Sequence, residues 1–588
     1  MTARPNLRAH LDGLAERSPS ASGSAGVRRF SSVAVPLADA RATANTLVRV
    51  REDIAGFAGG QVWRLDWCPR VVASGARHLA VECRAGNNVE HHFDRLGEGR
   101  GPALVQVWAL RPRDPRANAP RASGPDAATK RKRDRTRPAD AAPTDEDTSS
   151  ASAVLGLAHE GGYALDLRWC RSPDALGRAS AGASLGLLAV ALGDGRVEVW
   201  SVPEPEPEPA TANDSSNPPI ANPPIVAPAV AHVGVAPPEY GVALALDWCA
   251  GASRDRLVAG TSGGYVVVWI VPRLDAVGAR DGSRAFPVVV LSAGCPQRAV
   301  ACPPEDDEDD QDDEASEDLS HLILSAGHCM KEPALWDARD PFSPVSGRRG
   351  EAFAGGFFQL SAAWLREGRV VTGSDNGEVA LHDPFHPARF ECTRKDAAER
   401  TKRRLVGDAS EEYAANASAT SANASASSRG AVWAVDAKAI TDGPDGCSLV
   451  AAATGSKGLR VAMTCAAGGV RAAGKRYVEF ARKNGVPVDL ERVGGAAIAT
   501  TGGERRAVTL FGQKGDAIAR TEGDAIAAAV RCARWWRPHA PAVIREGDAE
   551  RGDGDPWLAW GDDSGFVRFQ RFDVGALETA AAALARIS

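Results

Sequence analysis

What the 588-residue chain lacks narrows its function first. It carries no Cys-x-x-Cys pair, no His-Glu-x-x-His helix, no Walker phosphate loop and no Gly-x-Gly-x-x-Gly after an apolar run. The usual signatures of metal, nucleophile and nucleotide chemistry are therefore missing, and the chain reads as a non-enzyme without cofactor, metal or small-molecule substrate. No stretch approaches the ~18 unbroken apolar residues of a membrane span, and the first 26 residues lack the apolar core of a signal peptide. A soluble, intracellular protein without a membrane partner is the expectation. The eleven cysteines are odd in number and lack paired spacing, and Cys68, Cys170 and Cys249 sit in apolar runs, as small buried thiols do. With 69 basic against 75 acidic residues the formal charge is −6, which excludes a uniformly basic nucleic-acid coat.

What is present is repetition. One phrase recurs as VWRLDWC at 62–68, ALDLRWC at 164–170, ALALDWC at 243–249, SAAWL at 361–365, AVWAVDA at 431–437 and VRCARWW at 530–536. Apolar residues alternate with polar or small ones, the pattern of a half-buried strand. A second phrase follows most copies: an apolar run, a Gly/Asp/Ser turn and a β-rich run, as in LLAVALGDGRVEVW at 187–200, LVAGTSGGYVVVW at 257–269, VVTGSDNGEVALHD at 370–383, VAAATGSKGLRVA at 450–462 and WLAWGDDSGFVRF at 557–569. Turns such as Gly193-Asp194-Gly195 and Asp375-Asn376-Gly377 supply the positive backbone angles of tight hairpins. HLILSAGHCMKEPALWD at 321–337 reads as a further unit without a clear first strand. Such units predict an all-β fold, a seven-bladed WD-repeat β-propeller over 51–573. A largely flexible tail at 1–50 precedes it, and a short C-terminal helix at 574–588 follows it. The segments 111–152, 203–238, 303–319 and 393–429 are rich in Pro, Ala, Ser or charge and read as disordered inter-strand insertions.

Fourteen of the 34 aromatic residues are Trp. Their fixed place in the repeats favours packing between blades over a stacking platform for nucleic acid. His159, ten residues before Trp169, is placed to bond the turn residue Asp194 within its blade. The run Lys130, Arg131, Lys132, Arg133, Arg135 and Arg137 is a candidate nuclear-import cluster. Nine acidic residues fall between 305 and 314, a stretch suited either to a basic partner or to solubility alone. Trp336-Asp337-Ala338-Arg339 resembles the Trp-Asp-x-Arg box with which some WD-repeat proteins dock on a cullin-type ubiquitin-ligase adaptor, and Trp-Asp is equally an ordinary strand ending.

The form of the first strand is more specific. Gly60-Gln61-Val62-Trp63-Arg64-Leu65-Asp66-Trp67-Cys68-Pro69, with its echoes at Trp169-Cys170 and Trp248-Cys249, resembles the first blades of the WD-repeat subunit of general transcription factor IIIC of RNA polymerase III. His159 to Cys170 is similar to that family's second phrase, and generic WD repeats have Phe-Ser-Pro where this chain has Trp-Cys-Pro. The resemblance is best over 59–272. It implies a nuclear, non-catalytic scaffold whose partners are the other subunits of the factor and which meets DNA only weakly or indirectly. The alternatives are a ligase substrate receptor and a generic chromatin-associated WD-repeat scaffold.

Overall fold

The computed structural model describes residues 11–12, 14–17, 27–35, 50–72, 74–84, 101–112, 149–171, 184–205, 223–271, 283–304, 320–328, 330, 333–342, 344–345, 358–365, 368–382, 384, 403–406, 431–440, 447–455, 458–465, 507–513, 517–518, 526–527, 529–537, 556–573 and 577–578. They form an all-β propeller. Its first sheet is Gln61–Trp67, Arg77–Arg84, Ala103–Arg111 and Ser150–His159, in antiparallel order outward from the axis. The second is Ala164–Trp169, Ser184–Leu192, Val197–Pro203 and Ala229–Gly234, and the third Ala243–Trp248, Arg256–Thr261, Tyr265–Ile270 and Val289–Ser292. Two more follow the same order, from Gln359–Trp364 to Arg403–Val406 and from Val432–Ala439 to Ala507–Gln513. The sixth complete sheet takes Val530–Trp535, Trp557–Asp562 and Phe566–Phe572 from the end of the chain and Val50–Phe57 from its beginning.

Among the described residues six complete blades are seen, not the expected seven. Between the third sheet and the one opening at Gln359 stands a sheet of three strands, Gln297–Ala301, Leu322–Gly327 and Ala334–Asp337. Its inner strand, Gln297-Arg298-Ala299-Val300-Ala301, escapes a search for the repeat because it has no Trp. The inner strands run in a closed circuit, each beside the next, and Val530–Trp535 packs back against Gln61–Trp67.

Two boundaries drawn from composition move. In 203–238, Ala229–Gly234 pairs with Val197–Pro203 and Ile225–Val226 adds in parallel to Ser150–His159, because Ala-Val-Ala-His-Val has enough alternation to hold an edge despite the flanking prolines. Arg403–Val406 likewise lies in the stretch 393–429 and pairs with Val379–His382. The segment 1–50 is not wholly a loose tail: Ser32–Ala34 pairs with Val50–Phe57, and Leu14 and Phe30 are buried. Arg29 anchors this segment by donating to the carbonyls of Leu11 (2.9 Å) and Leu14 (3.1 Å). Most of the four insertions and nearly all of 574–588 lie outside the described residues, though Leu577 is buried against Trp535 and Phe572. No described helix is long and apolar enough to cross a membrane.

The hairpin turns have the expected chemistry: Gly195, Gly264, Gly377 and Gly565 adopt φ of 92°, 90°, 83° and 93°, a region that costs side chains dearly. Packing explains the Trp bias. Trp108, Trp169, Trp200, Trp248, Trp269, Trp336, Trp557 and Trp560 are fully buried between sheets. Each sheet has apolar faces that only its neighbours can cover: Val105 and Val107 of the first pack with Leu167, Leu188 and Trp200 of the second. At the closure, Trp67, Leu79 and Trp108 meet Cys532, Trp557 and Phe569.

Closure rests on more than apolar contact. Asp53, on the strand from the chain's beginning, accepts from Arg568 (3.1 Å) and Gln570 (3.2 Å) on the strand from its end, and all three are buried. Asp53→Ala leaves the Arg568 guanidinium buried without this carboxylate, which costs about 3 kcal/mol. A urea titration is expected to show a loss of that size, and a loss below about 1 kcal/mol contradicts the role given to the pair.

Candidate functional site

The innermost strands line an axial channel, and their recurring residues divide two tasks. A carboxylate on one inner strand accepts the backbone N–H of the next sheet's inner strand: Asp66 from Trp169 (2.8 Å), Asp166 from Leu246 (2.8 Å), Asp247 from Cys302 (2.8 Å) and Asp436 from Trp535 (2.7 Å). In the opposite direction, indole N–H groups donate to the preceding inner strand: Trp67 to the carbonyl of Arg534 (3.0 Å), Trp248 to Arg168 (3.1 Å) and Trp364 to Ala301 (2.9 Å). The neighbouring cysteines fill the apolar space behind. Cys68, Cys170, Cys249 and Cys532 are buried thiols, and burial pushes Cys68 and Cys532 up to about 12. The residues Trp63, Asp66, Trp67, Cys68, Trp169, Cys170, Trp248 and Cys249, chosen from the strand signature, are thus inter-blade fasteners, with one exception.

The exception is Trp63. Every inner strand, that of the three-stranded sheet included, has a register break within its first three residues: Val62/Arg64, Ala164/Asp166, Ala243/Ala245, Gln297/Ala299, Gln359/Ser361, Val432/Ala434 and Val530/Cys532. A bulge re-aims the extra side chain. The extra residues are Trp63, Leu165, Leu244, Arg298, Leu360, Trp433 and Arg531. On three successive inner strands they bring Trp433, Arg531 and Trp63 together. The two indoles lie 6.3 Å apart, and Arg531 sits 4.5 Å from the Trp433 ring and 5.6 Å from the Trp63 ring. Arg84 stacks on the other side, 3.6 Å from Trp63 and 4.5 Å from Tyr163. Asp563 holds Arg531 through two hydrogen bonds of 2.7 and 2.9 Å. Trp63, Trp433, Tyr163, Arg84 and Arg531 all remain partly exposed, whereas the Trp residues that end strands are buried. Clustered Trp, Tyr and Arg are the side chains that anchor protein interfaces. The repeat alignment hides this cluster because it equates all Trp residues. The detectable signal is position, since Trp63 and Trp433 come near the start of their strands rather than at the end.

Other expected contacts are arranged differently. His159 does not bond Asp194: Arg196 takes that carboxylate at 2.7 Å, and His159 packs against the ring of Trp200 at 5.2 Å. In Trp336-Asp337-Ala338-Arg339 the indole is fully buried and donates to Ser325 (2.9 Å), while the exposed Arg339 forks onto Asp337 at 2.7 and 3.0 Å. Gly260-Thr261-Ser262-Gly263-Gly264 has the Gly-x-Ser-x-Gly spacing of a nucleophile elbow, against the expectation that the chain has no such signature. It is a hairpin turn between strands, with Ser262 accepting from the Val242 N–H (3.0 Å). The basic run Lys130 to Arg137 and the acidic run from Glu305 lie outside the described residues.

No family model matches the chain. General transcription factor 3C polypeptide 2 of Homo sapiens and its counterpart of Pongo abelii are each 28% identical to it over 337 residues, 55% of this chain and 31% of the relative. The chain is thus related to a subunit of the factor to which its Trp-Cys-Pro strand points. It spans about a third of the length of the curated relatives it matches.

One buried acid beside the cluster gives a pH signature. Glu82 accepts the Ala164 N–H at 3.0 Å and is fully buried, and burial pushes its carboxyl from 4.5 up to about 8 against the pull of that N–H and of Arg84. The folded protein therefore holds a proton that the unfolded chain releases, and stability falls as pH rises from about 4.5 to about 8. Glu82→Gln keeps an acceptor for Ala164 and removes this loss. In denaturation series across that range the variant is expected to gain on the parent as pH rises, and a constant gap contradicts the assignment.

Proposed function

We propose that the chain is a non-catalytic scaffold subunit of transcription factor IIIC, holding other subunits together in RNA polymerase III transcription of transfer-RNA and 5S ribosomal-RNA genes. The observation that carries this reading is its 28% identity to general transcription factor 3C polypeptide 2. A ring with its own closed core and a partly exposed Trp/Arg cluster suits such a part, since it offers a rigid surface and calls for no chemistry. In this reading the three-stranded sheet counts as the seventh blade of a WD-repeat ring, and the protein works in the nucleus. Lys130 to Arg137 assist its import. Contact with DNA is weak, because a formal charge of −6 releases few counterions.

Trp433, Trp63 and Arg84 form the anchor for a partner subunit, and their truncation to Ala weakens the complex with little effect on folding, because the side chains are partly exposed. Affinity purification of the tagged chain from cells of its source is expected to recover other factor IIIC subunits. Trp63→Ala with Trp433→Ala reduces that recovery about tenfold or more, the scale of a hot spot worth at least about 1.4 kcal/mol. Stoichiometric recovery of a cullin adaptor, lost on Arg339→Ala and without factor IIIC subunits, replaces this reading with that of a ligase receptor.

A further inference from the structure

The ring covers the outer edges of its first two sheets with added strands, and the device stops at the third. Ile225–Val226 adds in parallel to Ser150–His159, the outer strand of the first sheet, where the Gly156 N–H donates to the Pro224 carbonyl at 2.9 Å. Ser283–Ala285 adds in parallel to Ala229–Gly234, the outer strand of the second, where the Val235 N–H donates to the Ala285 carbonyl at 2.9 Å. Both additions have the same origin. Each lies in the connection that leads to the next sheet's outer strand, 204–228 before Ala229–Gly234 and 271–288 before Val289–Ser292, so the chain covers one sheet on its way to completing the next.

By the same rule the edge of the third sheet is to be covered from the connection that follows Ala334–Asp337, and that connection is too short. Asp340 donates back to the Asp337 carbonyl (3.0 Å) in a tight turn, and Val345 already donates to the Leu335 carbonyl (2.7 Å), beside the strand just left. Only 338–344 lie between, and they are spent on turning back. Among the described residues no strand pairs with the outer side of Val289–Ser292. Such an edge offers unpaired N–H and C=O groups to any extended chain. Three of the seven large hydrophobic residues exposed among the described ones lie beside it, Phe286 (70%), Val288 (53%) and Ile270 (43%). Ile270 is brought there by the ladder, in which Val268 partners Val289. No Asp, Glu, Lys or Arg occurs from 285 through 297, so the charges that usually guard an edge are missing, and Pro287 stands before the strand rather than in it.

We infer that the edge Val289–Ser292 seats an extended, uncharged, proline-flanked apolar segment of a partner protein, which pairs with it in parallel and lays side chains against Phe286, Val288 and Ile270. The first sheet shows what chemistry this rim accepts: Ile225 and Val226 stand between Pro223-Pro224 and Ala227-Pro228, in a stretch without Asp, Glu, Lys or Arg from 215 to 238. An uncharged edge selects an uncharged occupant, because a charge carried into it loses water and finds no partner. The direction follows as well. Both strands that reach an edge from a neighbouring connection run parallel to it, whereas two copies of this edge meeting across a two-fold axis would run antiparallel. Main-chain pairing supplies the affinity and the flanking apolar side chains the selectivity. The inference stands apart from the transcription reading and from the Trp63 cluster, since it requires a partner of this chemistry and no particular assembly.

The test uses the whole chain and, as probe, a synthetic peptide with the sequence of residues 217–228, in which Asn-Pro-Pro-Ile occurs twice. Hydrogen exchange is followed by mass spectrometry as the peptide is titrated in. Exchange at Val289–Ser292 is expected to slow by about fivefold or more at saturation, while Ala229–Gly234, already covered, keeps its rate. A charge beside an edge blocks strand addition, so Phe286→Lys with Val288→Lys is expected to weaken peptide binding about tenfold or more. The unfolding midpoint of that variant stays at the wild-type value, because both side chains are exposed. Val71→Lys, at an exposed residue following the first sheet's inner strand, keeps wild-type binding, and the peptide carrying Ile220→Asp and Ile225→Asp leaves exchange unchanged. Absence of saturable protection, protection that survives in the double Lys variant, or protection centred elsewhere than 289–292 overturns the inference. A sedimentation mass that rises with concentration in wild type and not in the double variant also overturns it, by making a second copy of this chain the occupant.

Discussion

Every sheet in this molecule has apolar faces that only its neighbours can cover, and the structure depends on that demand being met around a closed circuit. Burial alone sets no angle or register between sheets, since it is non-directional. The fasteners on the inner strands supply both. At most junctions a carboxylate from one strand accepts the N–H of the next or an indole donates back, and the sheets so joined are tied at a fixed height. The circuit closes only because Val50–Phe57 enters the last sheet, with Asp53 against Arg568 and Gln570.

The same inner strands give the surface its character. A residue bulged out near the start of each strand cannot join the ladder, and its side chain is re-aimed. Where it is Leu165 or Leu244 it is buried; where it is Trp63, Trp433 or Arg531 it builds a cluster that stays partly exposed. Where it is Arg298 it lines a small cavity together with Arg64, Arg168 and Arg534. One backbone irregularity, repeated around the ring, thus serves packing, recognition and electrostatics according to the side chain it carries.

Much of this was legible in the sequence. Alternation and turn glycines gave the strands and hairpins, and the Leu-Asp-Trp-Cys phrase marked the inner strands of the first and third sheets. The Gln297–Ala301 strand was not legible, because Trp was the marker and this strand has none. The strands at Ile225–Val226, Ala229–Gly234 and Arg403–Val406 were hidden by their Pro-rich or charged surroundings, since edge strands need only part of the usual pattern. Pairings across sheets, such as Asp66 with the Trp169 N–H, lie about a hundred residues apart and leave no local trace. The His159 to Asp194 bond failed for a local reason: Arg196, two residues away, reaches the carboxylate first.

We propose that a partner subunit sits on the Trp63/Trp433 cluster. Placing the photo-reactive residue p-benzoylphenylalanine at Trp433 in cells and irradiating them tests it most directly. Cross-linking to a factor IIIC subunit, with none from the same residue placed at the exposed Phe342, is the expected result. Equal labelling of unrelated proteins from both positions, or cross-links from Phe342 alone, would contradict the account.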